Sequence, residues 1–120
     1  MQRVVVIGRL NCAGRPAKDL RVKLFDGDGT GREALIDERR TNDNGEFALD
    51  GTKDEITYID PVLYIFHNCD DALPCYRRWK FNIPRQFINY ASSTSGAMRQ
   101  MNIGDWNLEA HFSGEDRECL

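Results

Sequence analysis

The segment Gly14-Arg15-Pro16-Ala17-Lys18-Asp19 separates two stretches of opposite apolar pattern, and that contrast restricts the folds open to this chain more than any other feature. Before it, Val4-Val5-Val6-Ile7 is a continuous apolar run, the pattern of a strand buried on both faces. After it, Leu20-Arg21-Val22-Lys23-Leu24-Phe25-Asp26 alternates strictly, the pattern of a strand with one face in the core and one in solvent. The chain opens as a β-sandwich does. Turn signals then recur roughly every ten residues: Asp26-Gly27-Asp28-Gly29, Asn42-Asp43-Asn44-Gly45, Asp60-Pro61, Ile83-Pro84, the serine-rich stretch 92–96 and Ile103-Gly104-Asp105. Strands are expected over 3–10, 20–26, 35–41, 45–49, 57–67, 75–83 and 105–112, with an irregular or briefly helical segment at 85–90. Asn44-Gly45 reads as a hairpin turn, since both central positions of a type I′ turn require positive φ.

At 120 residues and 41% hydrophobic composition the chain is one domain, 1–120. A domain of this size buries about two-thirds of its unfolded surface. The net charge of −3 argues against general nucleic-acid binding, which needs a basic footprint. No run approaches the ~20 apolar residues of a membrane span. The stretch after Met1 is too short for a signal peptide, so a secreted protein of this sequence has had its leader removed.

Cys12, Cys69, Cys75 and Cys119 form no CxxC pair of the kind expected at a zinc or thioredoxin-like site. Disulfides are the favoured reading and buried free thiols the alternative. Only one pairing is suggested locally: Cys69 with Cys75, which bracket Asp70 to Pro74, leaving Cys12 with Cys119 by elimination.

Alternation assigns faces. Leu20, Val22 and Leu24 point inward, turning Arg21, Lys23 and Phe25 outward. In the fifth strand Leu63 and Ile65 are the inward candidates and Tyr64 and Phe66 the outward ones, although a strand apolar throughout leaves the opposite parity open. In the sixth, Trp79, Phe81 and Ile83 share one face with Arg77 at its rim, and Tyr76, Arg78, Lys80 and Asn82 share the other.

The segment Val5 to Phe25 resembles transthyretin. The continuation resembles the nematode transthyretin-like family more closely: Thr41-Asn42-Asp43-Asn44-Gly45-Glu46-Phe47, Asp60-Pro61-x-Leu63-x-Ile65-x-His67-x-Cys69, and Cys75-x-Arg77-Arg78 running to Ile83-Pro84. The resemblance implies an all-β fold, a transthyretin-like (prealbumin-type, immunoglobulin-like) two-sheet sandwich or open barrel of about seven or eight strands, secreted and disulfide-containing. One family member bridges phosphatidylserine on dying cells to an engulfment receptor. That implies, for this chain, an extracellular non-enzymatic protein with an anionic phospholipid headgroup and a cell-surface receptor as partners, and no cofactor. The alternative is a secreted signalling or carrier protein for a protein or small apolar ligand.

In transthyretin-like topology the second, fifth and sixth strands are neighbours. Arg21, Lys23, Phe25, Tyr64, Phe66, Tyr76, Arg78 and Lys80 then form one surface, four cations among four aromatics with no carboxylate. Such a surface suits anionic headgroups. It equally suits a protein interface, including a homodimer, or an ordinary solvated sheet with cross-strand pairs.

Asp26-Gly27-Asp28-Gly29-Thr30-Gly31 with Asp37 mimics a calcium loop, but Glu33 and the terminal Asp depart from the pattern, so no metal is expected. His67 beside Cys69, Asp70 and Asp71 reads as a hydrogen-bonded strand-end histidine, not a metal ligand or catalytic base. The fold also carries 5-hydroxyisourate hydrolase, which requires a first-strand histidine and a C-terminal Tyr-Arg-Gly-Ser. Here Arg3-Val4 and Arg117-Glu118-Cys119-Leu120 stand in those regions.

Overall fold

A computed structural model describes residues 1–27, 33–54, 57–71, 73–90, 98–111 and 115–119. Two sheets face each other. In the first, β1 (Gln2–Cys12) is the hub, antiparallel to β2 (Arg15–Pro16), β5 (Glu46–Lys53) and β8 (Asn89–Tyr90), and parallel to β9 (Gln100–Asn107). The second is antiparallel throughout, in the order β10 (Asp116–Glu118), β7 (Tyr76–Asn82), β6 (Pro61–His67), β3 (Arg21–Gly27), β4 (Glu33–Arg40). Between the sheets lie Val6, Leu10, Leu24, Leu49, Leu63 and Trp79, all buried. Each such side chain contributes roughly 1.5–3 kcal/mol relative to exposure. The inward parities expected for β3, β6 and β7 are the observed ones.

Two local expectations give way. Ile103-Gly104-Asp105, read as a turn, is a bulge inside β9: Gly104 has φ +79° and the β1 register shifts there, so the strand begins five residues before 105. Asn44-Gly45 does not close a hairpin, because β4 and β5 belong to different sheets and only Gly45 of the two has positive φ. Asn42 organises that corner instead, its Oδ1 accepting from the backbone N–H groups of Asn44 (3.0 Å) and Glu46 (2.9 Å). The two-residue turn with both central φ positive is Ala13-Gly14, between the paired residues Cys12 and Arg15.

The disulfides are Cys12–Cys69 and Cys75–Cys119, which overturns the Cys69–Cys75 and Cys12–Cys119 pairing. Cys12 ends β1 in one sheet and Cys69 follows β6 in the other, their Cα atoms 5.8 Å apart, so this bridge ties the sheets together. Beyond residue 114 the tail folds back onto β7. Glu118 pairs with Tyr76, which makes Cys119 and Cys75 the next cross-strand neighbours, 4.5 Å apart at Cα. Sheet order, not sequence proximity, decides both bridges.

Candidate functional site

The eight outward residues do share one face. Tyr64 lies between Lys23 and Lys80, and Phe66 lies beside Arg78. Their environment differs from the expected one in two respects.

First, the central aromatics are not exposed. Tyr64 and Phe66 are each 3% accessible and form, with Val62 and the half-buried Phe25, a second apolar cluster on the outer side of the sheet. Long basic side chains lie over the rings: Lys23 Nζ is 5.1 Å from the Phe66 centroid, Arg78 Cζ 4.8 Å and Lys80 Nζ 5.8 Å from that of Tyr64. Of the four predicted aromatics, Tyr76 alone is exposed, at 40%.

Second, the face carries carboxylates. β4 and β10 flank the three strands and bring Glu33, Glu38, Asp116 and Glu118 onto it. Arg78 donates through Nε and Nη2 to the two oxygens of Asp116 (2.7 and 2.5 Å) and through Nη1 to Glu118 (2.8 Å). Glu38 lies 3.7 Å from Lys23 Nζ and 3.9 Å from Arg21 Nε. The Tyr64 hydroxyl donates to Glu33 (2.5 Å), and burial together with that carboxylate raises its pKa. Among the described residues Lys80 has no carboxylate partner. The face is therefore close to charge-matched, its anions coming from β4, expected as a strand but not placed beside these three, and from β10, not expected at all.

The sequence reading missed a buried ionic cluster under the tail. Arg77, 2% exposed, donates to the carbonyls of Cys69 (2.9 Å), Leu108 (3.1 Å) and Ala110 (2.6 Å) and to Glu115 (2.9 Å). Glu115 also accepts from Trp79 Nε1 (2.8 Å) and pairs with His111 (2.9 Å). Burial pushes Glu115 upward, but hydrogen bonds from Arg77, His111 and Trp79 outweigh it and hold the carboxyl below its usual range. The available signal was Arg77 on the inward parity of β7, since an inward arginine demands a buried carboxylate.

His67 is the strand-end histidine expected, Nδ1 accepting from the Cys69 N–H (3.1 Å). Burial first, then the Arg77 charge, lowers its pKa from 6.5 to about 4. Between those values the unfolded chain binds a proton that the folded chain does not, so stability falls as pH drops through that window, by at most about 3 kcal/mol from this group. Denaturant titrations at pH 7 and pH 4.5 are expected to show this loss, with His67→Asn removing most of it. An unchanged slope in the variant would assign the loss elsewhere.

Of the calcium-like motif, Asp26 pairs with Lys53 (3.0 Å) and Asp37 accepts from Arg39 (3.0 Å); Asp28 to Gly31 lie outside the described residues. Over the outer side of the first sheet runs a groove of about 710 Å3, lined by Ile7 and Ala48 and by charges of both signs, Arg9, Arg39 and Arg40 with Glu46 and Asp105.

Residues 7–84 match the family model described as TTR-52, Transthyretin-like family. Transthyretin-like protein 33 of Caenorhabditis elegans is 41% identical over 121 residues, spanning 99% of this chain and 82% of its own length. Transthyretin-like protein 5 of the same organism is 39% identical, with 99% and 85% covered. Transthyretin-like protein 46 is 42% identical over 124 residues, 66% of its length. Among solved structures, a 9R-lipoxygenase from Cyanothece PCC8801 aligns with a TM-score of 0.50 at 15% identity, over 88% of this chain and 16% of that one. That likeness is one of fold alone. The sandwich, the family match over well more than half of the chain and the near-full-length relatives together show that this chain belongs to the transthyretin-like family.

Proposed function

We propose that this chain is an extracellular, non-catalytic binding protein that recognises an anionic phospholipid surface such as phosphatidylserine and presents it to a receptor on a phagocyte. The observation that carries the reading is the cation–aromatic mosaic on the outer side of the second sheet, with Lys80 and Tyr76 at its exposed positions. Two disulfides in a single sandwich suit an oxidising compartment and support secretion. Co-sedimentation with phosphatidylserine vesicles but not phosphatidylcholine vesicles is the expected result, with Arg78→Glu/Lys80→Glu weakening it several-fold. Equal sedimentation with both vesicle types refutes the lipid reading.

The groove on the outer side of the first sheet favours a second reading, a carrier for a small, largely apolar ligand resting on Ile7 and Ala48. Saturable binding of a long-chain fatty acid without vesicle binding would select it.

A further inference from the structure

The aromatics of the sheet face are largely covered, whereas the end of the sandwich where η1 (Arg85–Phe87) and β8 meet the start of β1 presents one openly. Tyr58 is 62% accessible, one of the most exposed large apolar side chains described. Its ring sits edge-on to Tyr90 at 5.6 Å, and the Arg85 guanidinium lies over it at 5.3 Å. Met98, also exposed, adjoins Arg99, whose Nη1 donates to the Gln86 carbonyl (3.2 Å). Asn89 joins these parts, accepting from the Arg99 N–H (2.8 Å) and donating to the carbonyls of Arg3 (3.2 Å) and Arg99 (3.0 Å).

Tyr58 is held in this position. Gln2 is buried, and its amide spans the tyrosine: Nε2 donates to the Thr57 carbonyl (2.8 Å) and Oε1 accepts from the Ile59 N–H (2.9 Å). Fixing the peptide on either side of an exposed ring removes ordering cost from any contact the ring makes. The electrostatics favour an anionic partner: Arg85 is 67% exposed and only loosely paired with the exposed Asp60 at 4.0 Å, and Arg99 makes no ion pair among the described residues. Lys80, which has no carboxylate partner among the described residues, lies on β7, which leads into η1.

We propose that this end of the molecule is its membrane-contact tip. Tyr58, Tyr90 and Met98 rest at the boundary between headgroups and acyl chains while Arg85 and Arg99 meet lipid phosphates, the division of labour that interfacial aromatics and basic residues show. The occupant is the surface of an anionic bilayer. This rests on the lipid reading above and adds the tip to the sheet-face contact proposed there.

The test uses sedimentation with phosphatidylserine-containing vesicles, comparing the parent protein, Arg85→Gln/Arg99→Gln and Tyr58→Ser. The paired arginine variant is expected to bind roughly 10–30-fold more weakly, with an unchanged melting midpoint because both side chains are exposed. Tyr58→Ser is expected to lose several-fold. A parent that binds while both variants bind equally well overturns the tip and leaves the lipid reading standing; a parent that does not bind removes both. As a folding-independent check, Tyr58→Trp in vesicles of brominated phosphatidylserine is expected to show quenching beyond that of Trp79 and Trp106. No added quenching also overturns the tip.

Discussion

Replacing Arg77 by methionine is expected to lower stability by about 3–5 kcal/mol, the scale for removing one partner of a buried ion pair. The chain length of methionine fills much of the space, so the loss reports the charge and its hydrogen bonds more than a cavity. Three carbonyls, of Cys69, Leu108 and Ala110, lose this donor at once, and among the described residues Glu115 is left with Trp79 and His111. These acceptors come from the end of the second sheet, from the segment after β9 and from the tail. The variant is therefore expected to loosen all three together. Urea denaturation measures the loss, and Arg77→Met/Glu115→Gln is expected to recover part of it by removing the stranded carboxylate. A loss below about 1 kcal/mol would mean that water replaces the guanidinium readily, and that the cluster stabilises little.

Removing the Cys12–Cys69 bridge by a double substitution to serine is the other large expected effect. The bridge spans 57 residues, for which loop-closure entropy gives a cost of about 4 kcal/mol. It fastens the hub strand of one sheet to the end of a central strand of the other. The Cys75–Cys119 bridge spans 44 residues, so entropy alone ranks it nearly level. It secures only a three-residue edge strand, which is free to fray without global unfolding. The double serine variant at Cys12 and Cys69 is thus expected to lose clearly more in melting temperature than the one at Cys75 and Cys119. The reverse order would show that the tail, with Glu115 on Arg77, is essential to the cooperative unit.

The central strands were legible because each carries a local pattern. β3 alternates, β6 is apolar throughout and β7 alternates about Trp79, and these periods depend on nothing distant. What failed required knowledge of neighbours. β10 is three residues long and polar, so no periodicity marks it; only its pairing with β7 makes it a strand. With β10 unseen, Asp116 and Glu118 were unseen on the outer face of the sheet, and Cys119 had no partner but the wrong one. Glu33 and Glu38 escaped for a similar reason, since the register that sets them beside Tyr64 and Lys23 belongs to the sheet. Tyr58 gave no signal because its exposure depends on Gln2, a strand residue 56 positions earlier whose amide turns inward.

The folded-back tail has a consequence for how this protein behaves in a crowd. A sheet ending at β7 would offer a seven-residue edge of unpaired backbone groups to any passing strand, the template from which intermolecular sheets grow. β10 covers the first part of that edge and is covalently fastened there, with Asp116, Arg117 and Glu118 as its side chains. The opposite border, β4, ends in Asp37-Glu38-Arg39-Arg40. Both margins of the sheet are thus charged, and one is stapled. The protein thereby keeps its own strands from being the ones that stick.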